Sequence, residues 1–283
     1  MPLDSCRYVW RKDDHVPTRF KRELGGGELI EDAWTTYNRG EQNLFLGLYI
    51  TISQPLDVTE FVELLTKAWI STRWDVPTIA SQVLHEPREA TPIPTVFLTY
   101  DLPQNASWVE IWAQRTIILK HGYEDLDGLR YDIGYGIIPA KDLEPQTFIY
   151  VLQLPSNQFG LLFHTSHVPF DGAGLKMVGS KLLEHLSQYI ADSSYASLEV
   201  MRMKWGSEGS QLLPTASDVL PKQDPTRNDA VPRNVTKPEL SVEPREGSEY
   251  FATLMEIMQN TKKGNSVSIY IIFLSEKSLD IFA

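Results

Sequence analysis

Two apolar runs separated by a short turn are the feature that most restricts the fold of this chain. Residues 148–154 (FIYVLQL) and 159–164 (FGLLFH) flank the tetrapeptide PSNQ. The first run is rich in β-branched and aromatic residues, and Pro, Ser and Asn are typical of turns. The pattern predicts a β-hairpin with a largely buried face. An amphipathic helix is predicted to follow from about Ala173. Its apolar face consists of residues at helical spacing: Leu175, Val178, Leu182, Leu186 and Ile190.

The other regular elements predicted from the sequence are strands and helices in mixed order. Residues 44–53 (LFLGLYITIS) and 267–274 (VSIYIIFL) have the composition of strands. One helix is expected after Asp57, which can cap it, and another after Asn105. The apolar side of the second helix is expected to contain Trp108, Ile111, Trp112, Ile118 and Leu119. Residues 122–146 are rich in glycine and are expected to form a loop. Together these patterns predict an α/β (α+β) fold, a mixed sheet with flanking helices.

Segments of low apolar content divide the chain. Residues 1–42 are polar and are expected to be irregular, with Gly25-Gly26-Gly27 as a flexible break. Residues 206–247 contain six of the 18 prolines and are expected to form a long connector. These boundaries predict a folded unit over residues 43–205 and a separate segment over residues 248–283.

The charge of the chain argues against two classes of partner. The formal net charge is −11, so neither nucleic acid nor an anionic membrane is an expected partner. No apolar run reaches the ~18 residues of a spanning helix, and residues 1–11 lack the apolar core of a secretion signal. Cys6 is the single cysteine, which excludes an intramolecular disulfide. These features favour a cytoplasmic protein.

Metal binding is not expected either. A single cysteine excludes a cysteine-based zinc cluster. His164 and His167 are three residues apart, and such positions point to opposite faces of a strand. We therefore expect no metal site, and we expect His164 to be a packed strand residue.

The hexapeptide His167-Val168-Pro169-Phe170-Asp171-Gly172 lies between the predicted hairpin and the predicted helix. A neutral histidine held at the end of a strand can accept a proton from an alcohol during acyl transfer, because its pKa lies near working pH. Asp171 can contact the imidazole or tie down the loop, and Gly172 can permit positive φ and close chain approach. On these residues alone a second interpretation stays open, with His167 a satisfied core histidine and Asp171 a helix N-cap.

In this context the pattern His167-x-x-x-Asp171-Gly172 resembles the HxxxDG signature of the chloramphenicol acetyltransferase-like superfamily. That group includes the BAHD acyltransferases, the condensation domains of peptide synthetases and the fungal O-acyltransferases of secondary metabolism. Residues 204–208 (KWGSE), with 212–214 (LLP) after them, are similar to the region that follows the motif in fungal trichothecene-type acetyltransferases.

The resemblance implies two lobes with a tunnel between them. His167 would be the catalytic base in the tunnel, whereas Asp171 and Gly172 would orient the loop. The implied reaction is acyl-CoA-dependent O-acyl transfer, acetyl transfer to a hydroxyl of a fungal secondary metabolite or mycotoxin. Acyl-CoA would be a co-substrate, an alcohol or amine would be the acceptor, and no cofactor would be bound permanently.

Two departures from the family pattern leave alternatives. Ser166 stands where condensation domains carry a first histidine, which favours a free-standing acyltransferase over a condensation-like protein with a carrier-bound donor. The DFGWG segment of the second BAHD lobe is absent. We therefore expect residues 206–247 to be a crossover linker and 248–283 to begin a truncated second lobe. A non-catalytic remnant is the remaining alternative, and an exposed lobe-docking face predicts self-association.

Overall fold

The computed structural model of this chain describes residues 5–37, 43–89, 91–134, 136, 138–139, 141–214 and 267–272. Nine strands in this part of the chain form two sheets. Six α-helices accompany them: α1 (Gly26–Tyr37), α2 (Val58–Asp75), α3 (Ala106–Thr116), α4 (Leu126–Ile133), α5 (Gly172–Ala191) and α6 (Ser193–Arg202). Across these described stretches, no helix combines the length and the apolar character needed to cross a membrane.

The first sheet has four antiparallel strands in the order β1-β2-β5-β4. They are β1 (Arg11–Lys12), β2 (Arg19–Glu23), β4 (Gln82–Arg88) and β5 (Thr91–Asp101). A bidentate ion pair reinforces the β2–β5 pairing, since Arg19 donates to both carboxylate oxygens of Asp101 at 2.6 and 2.9 Å. The N-terminal strands are therefore part of the same unit as the later ones.

The second sheet has five strands in the order β6-β7-β8-β3-β9. They are β3 (Leu44–Ile52), β6 (Ile117–Lys120), β7 (Thr147–Leu154), β8 (Gln158–Thr165) and β9 (Val267–Ile272). Strands β6 and β7 are parallel, and the other neighbours are antiparallel. This mixed sheet confirms the α/β prediction, and β3 and β9 lie where strands were predicted.

The predicted hairpin is present as β7 and β8, paired from Thr147 opposite Thr165 to Leu154 opposite Gln158. Ser156 and Asn157 in its turn have φ values of 59° and 57°, and Asn tolerates this left-handed region better than most residues. The Asn157 amide also donates to the Ile52 carbonyl at 2.6 Å. The turn is therefore tied to the end of β3.

Both faces of the second sheet are covered, which explains the unbroken apolar run in β8. On one face, α2 and α5 bury the main core, in which Phe61 stacks on Phe159 with ring centroids 3.9 Å apart. On the other face, α4 packs Leu126 and Leu129 against Leu152 and Leu162. Each face of β8 therefore meets a helix.

Tryptophan and glutamate side chains join the segment after α6 to helix α2 and to the first sheet. Trp205 packs edge-on against Trp74 of α2, with centroids 5.2 Å apart. The fully buried Glu208 accepts hydrogen bonds from the Tyr100 hydroxyl at 3.0 Å and from the Gly206 backbone N–H at 2.6 Å. Burial raises the pKa of Tyr100, which keeps its hydroxyl a donor. The KWGSE segment thus fastens β5 to α2.

Two predictions of irregular structure are wrong. Residues 1–42 contain β1, β2 and α1, and α1 begins within the glycine triplet because the Glu28 carboxylate accepts a hydrogen bond from the Gly25 N–H at 2.8 Å. Residues 122–146 contain α4, capped by Asp125, which accepts from the Gly128 N–H at 2.8 Å. In both cases a side-chain cap starts a helix in a glycine-containing sequence.

The apolar side predicted for the second helix is correct at Trp112, which packs against the main core, and wrong at the other positions. Trp108 and Ile111 are exposed, whereas Val109 and Ala113 pack into the core. Ile118 and Leu119 belong to β6, because pairing with β7 competes successfully with helix extension.

Two predictions lie partly outside the described residues. The connector predicted over residues 206–247 is described only to residue 214, and the second-lobe segment predicted over residues 248–283 is described only at residues 267–272.

Candidate active site

The loop that follows β8 is anchored at its start by buried polar contacts. The hydroxyls of Thr165 and Thr147 are 2.8 Å apart. Ser166 is fully buried, and its backbone N–H donates to the Gln146 carbonyl at 2.9 Å. The Gln146 amide donates in turn to the Ser81 carbonyl at 3.1 Å. The loop therefore leaves the second sheet in a fixed direction, next to the segment that leads to the first sheet.

Alternate residues of the loop are then buried in different cores. Val168 joins the apolar cluster of the first sheet, with Leu24, Val83 and Leu98. Phe170 joins the main core of the second sheet. Because each neighbour is anchored by burial, the backbone on both sides of His167 is constrained. The loop thus spans the two sheets at the predicted catalytic histidine.

His167 itself is partly exposed, with 24 % of its side chain accessible. Its Nδ1 lies 3.9 Å from Oε2 of Glu31 on α1. Among the described residues, no group makes a hydrogen bond with either ring nitrogen. The imidazole is thus not sealed inside apolar packing, and its Nε2 has no hydrogen-bond partner within the described part of the chain.

Asp171 caps α5, and its Oδ1 accepts a hydrogen bond from the Gly174 N–H at 2.7 Å. Within the described chain its carboxylate makes no hydrogen bond or ion pair with His167. A Cβ on Gly174 would lie 3.2 Å from the Phe170 ring, so close approach restricts that position. The expectation of positive φ and close chain approach is wrong for Gly172, where φ is not positive and a Cβ would meet no atom within 4 Å.

His164 is a packed strand residue, as predicted. It is buried in β8, and its ring stacks on Phe45 with centroids 4.4 Å apart. The Asn43 amide donates to its Nε2 at 3.0 Å. Burial lowers the pKa of His164 to about 3, so it is neutral at physiological pH. Within the described ranges, no three His, Cys, Asp or Glu side chains converge as metal ligands.

Two charged clusters hold α1, the helix that carries Glu31. Arg22 donates to both carboxylate oxygens of Glu28, each at 2.7 Å. His85 of β4 lies between two carboxylates, with Nε2 3.0 Å from Asp32 and Nδ1 2.6 Å from Asp142. Hydrogen bonding to Asp32, followed by Asp142, raises the pKa of His85 to about 9 despite burial. We call His85, Asp32 and Asp142 the His85 clamp.

Sequence reasoning missed Glu31 because it assigned residues 1–42 to irregular structure. The signal available was the capped start of α1, the glycine triplet followed by Glu28. That signal predicts the helix, but it does not relate Glu31 to His167, which is distant in sequence.

Comparison with known proteins confirms the resemblance to fungal trichothecene-type acetyltransferases and the predicted fold. No family model matches the chain. It is 23 % identical over 234 residues to trichothecene 15-O-acetyltransferase TRI3 of Fusarium sporotrichioides, covering 77 % of this chain and 44 % of that protein. The solved structure of the F. sporotrichioides TRI3 enzyme matches with a TM-score of 0.63 and 21 % identity, over 78 % of this chain and 46 % of that one. The chain thus spans less than half of this relative.

Two further solved structures match more weakly. The starter condensation domain of the rhizomide synthetase RzmA has a TM-score of 0.44 and 9 % identity, over 61 % of this chain and 38 % of that one. TRI101 of F. graminearum, complexed with ethyl coenzyme A, has a TM-score of 0.41 and 14 % identity, over 60 % of this chain and 40 % of that one.

Proposed function

We propose that this chain forms the base-carrying part of an acyl-CoA-dependent O-acyltransferase that acetylates a hydroxyl of a fungal secondary metabolite. The observation that carries the proposal is the partly exposed imidazole of His167, held on a loop anchored in two cores, with no described hydrogen-bond partner on its ring nitrogens. The similarity to trichothecene 15-O-acetyltransferase TRI3 supports the reaction class.

In the proposed reaction, His167 acts as general base. Its Nε2 takes the proton of the acceptor hydroxyl as that oxygen attacks the thioester carbonyl. The new C–O bond forms, the C–S bond breaks, and the imidazolium returns its proton to the departing thiolate. Such a base contributes about 10²- to 10⁴-fold to the rate. His167 ends the cycle neutral, so no residue is consumed.

Asp171 has a structural role in this proposal. Its carboxylate fixes the first turn of α5 through the Gly174 N–H, and α5 buries Leu175 and Val178 in the main core. The start of the helix therefore stabilises the end of the loop that presents His167. Asp171 orients this loop and carries no proton.

The test measures acetylated product by mass spectrometry, with acetyl-CoA and trichothecene alcohols as substrates. We expect product with the unaltered chain and a loss of about 10²- to 10⁴-fold with His167→Ala. His121→Ala is the matched control, because His121 is exposed and lies away from the loop in sequence. Equal turnover by the His167→Ala variant would contradict the role of His167 as general base. Failure of every acyl-CoA and acceptor pair tested would contradict the acyltransferase activity.

Parallel reactions define the substrates. An amine acceptor tests whether transfer is restricted to oxygen, and longer acyl-CoAs test the acyl length. A carrier-protein thioester tests the condensation-like alternative, for which we expect slower transfer than with free acetyl-CoA. Faster transfer from the carrier would contradict the proposed donor.

A further inference from the structure

We infer that Glu31 is a positioning residue for His167, holding the proton on Nδ1 so that the lone pair of Nε2 faces the substrate. The catalytic meaning of this inference rests on the proposed function. The contact itself does not, because it concerns only the residues of α1 and the loop.

The first support is the state of the Glu31 carboxylate. Its Oε2 is buried and has no hydrogen-bond partner among the described residues. A buried carboxylate oxygen is costly unless a donor or a positive charge compensates it. The Nδ1 of His167, 3.9 Å away, is such a donor when it carries the proton. The contact is longer than a hydrogen bond, and catalytic contacts often shorten only when substrate binds.

The second support is the fixed position of α1. The Arg22–Glu28 ion pair holds its first turn. The His85 clamp holds Asp32, the residue next to Glu31, against β4. Glu31 therefore faces the loop from an anchored helix, and this anchoring does not involve Asp171.

Two consequences follow for the chemistry. In a neutral imidazole, the hydrogen bonds of the two ring nitrogens decide which nitrogen carries the proton. A carboxylate that accepts from Nδ1 therefore leaves Nε2 unprotonated. When Nε2 takes the acceptor proton, the same carboxylate stabilises the imidazolium. Both effects act on the chemical step rather than on substrate binding.

The tautomer is measured directly by NMR on protein labelled with ¹⁵N-histidine, under conditions where the ring is neutral. The His167→Gln spectrum identifies the His167 signals. We expect ¹⁵N shifts of an Nδ1-protonated ring in the unaltered protein and a shift of the proton towards Nε2 in Glu31→Ala. Glu63→Ala, at an exposed glutamate of α2, is the matched control and should leave these shifts unchanged.

Turnover gives the second measurement. We expect Glu31→Ala to lower kcat by about 10- to 100-fold with little change in KM, by analogy with carboxylates that orient the imidazoles of metal-binding histidines. Glu31→Gln, which keeps the side-chain volume, should also lower kcat and serves if the alanine variant does not fold. Circular dichroism and thermal melting check the fold of each variant.

The two proposals fail in different ways. An Nε2-protonated ring in the unaltered protein, or ¹⁵N shifts unaffected by Glu31→Ala, overturns the positioning role even if His167→Ala abolishes turnover. If the tautomer changes as expected but His167→Ala leaves turnover intact, the contact stands and the proposed function fails.

Discussion

The His85 clamp gives this protein a stability that depends on pH. His85 lies between Asp32 and Asp142, and Asp32 is the main cause of a rise in its pKa from 6.5 to about 9. In the unfolded chain the imidazole titrates near the ordinary value. The clamp therefore contributes fully below pH 6.5, and its contribution is lost as the pH rises to about 9.

The magnitude follows from the same pKa values. A rise from 6.5 to about 9 corresponds to about 3 kcal/mol of folding free energy. The side chains of His85 and Asp142 are 32 % and 39 % exposed, so water screens part of their attraction. We therefore expect about 1–2 kcal/mol from the clamp at low pH.

The assay is urea unfolding of the unaltered protein and of His85→Gln at about pH 6 and about pH 10, on either side of this titration. The stability difference between the two proteins should fall by about 1–2 kcal/mol from the lower to the higher pH. In an Asp32→Asn background, most of this pH dependence should disappear. An equal difference at both pH values would refute the clamp as the cause.

Three further predictions concern the core, the helix cap and the exposed surface. Phe61→Ala should lower the free energy of unfolding by about 3–5 kcal/mol, because the ring is fully buried against Phe159; a loss below about 1 kcal/mol in chemical denaturation contradicts this packing. Asp171→Ala should cost about 1 kcal/mol through loss of the α5 cap, whereas Asp171→Asn should be nearly neutral in the same measurement. The self-association expected earlier stays a prediction, supported by exposed Ile30 and Trp34 on α1; sedimentation velocity showing a monomer at every concentration contradicts it.

The proposed site contains two residues that the sequence pattern indicates and one residue, Glu31, that only the structure brings to it. The motif residues His167 and Asp171 were recognisable from their pattern, and in the structure the two side chains make separate contacts. Asp171 caps a helix, and the carboxylate that faces the imidazole belongs to Glu31. The alternative that His167 is a sealed core histidine does not agree with its partial exposure.

The elements that sequence reasoning predicted have strong local signals. The β7–β8 hairpin has two apolar runs around a turn whose Asn157 suits positive φ. Helix α5 has a regular apolar spacing and an aspartate at its start. By contrast, α1 begins within a glycine triplet and α4 lies in a glycine-rich segment, and the caps that start them are weaker signals than apolar periodicity.

By itself, the sequence determined the hairpin, the capped helix after it and the placement of a histidine between them. These features depend on backbone hydrogen bonds and apolar spacing among neighbouring residues, so they can be read locally. Only the tertiary structure decided that α1 lies beside the loop and that Glu31 faces His167. That contact depends on burying Val168 and Phe170 in separate cores and on anchoring α1 to β4, interactions between residues far apart in the chain.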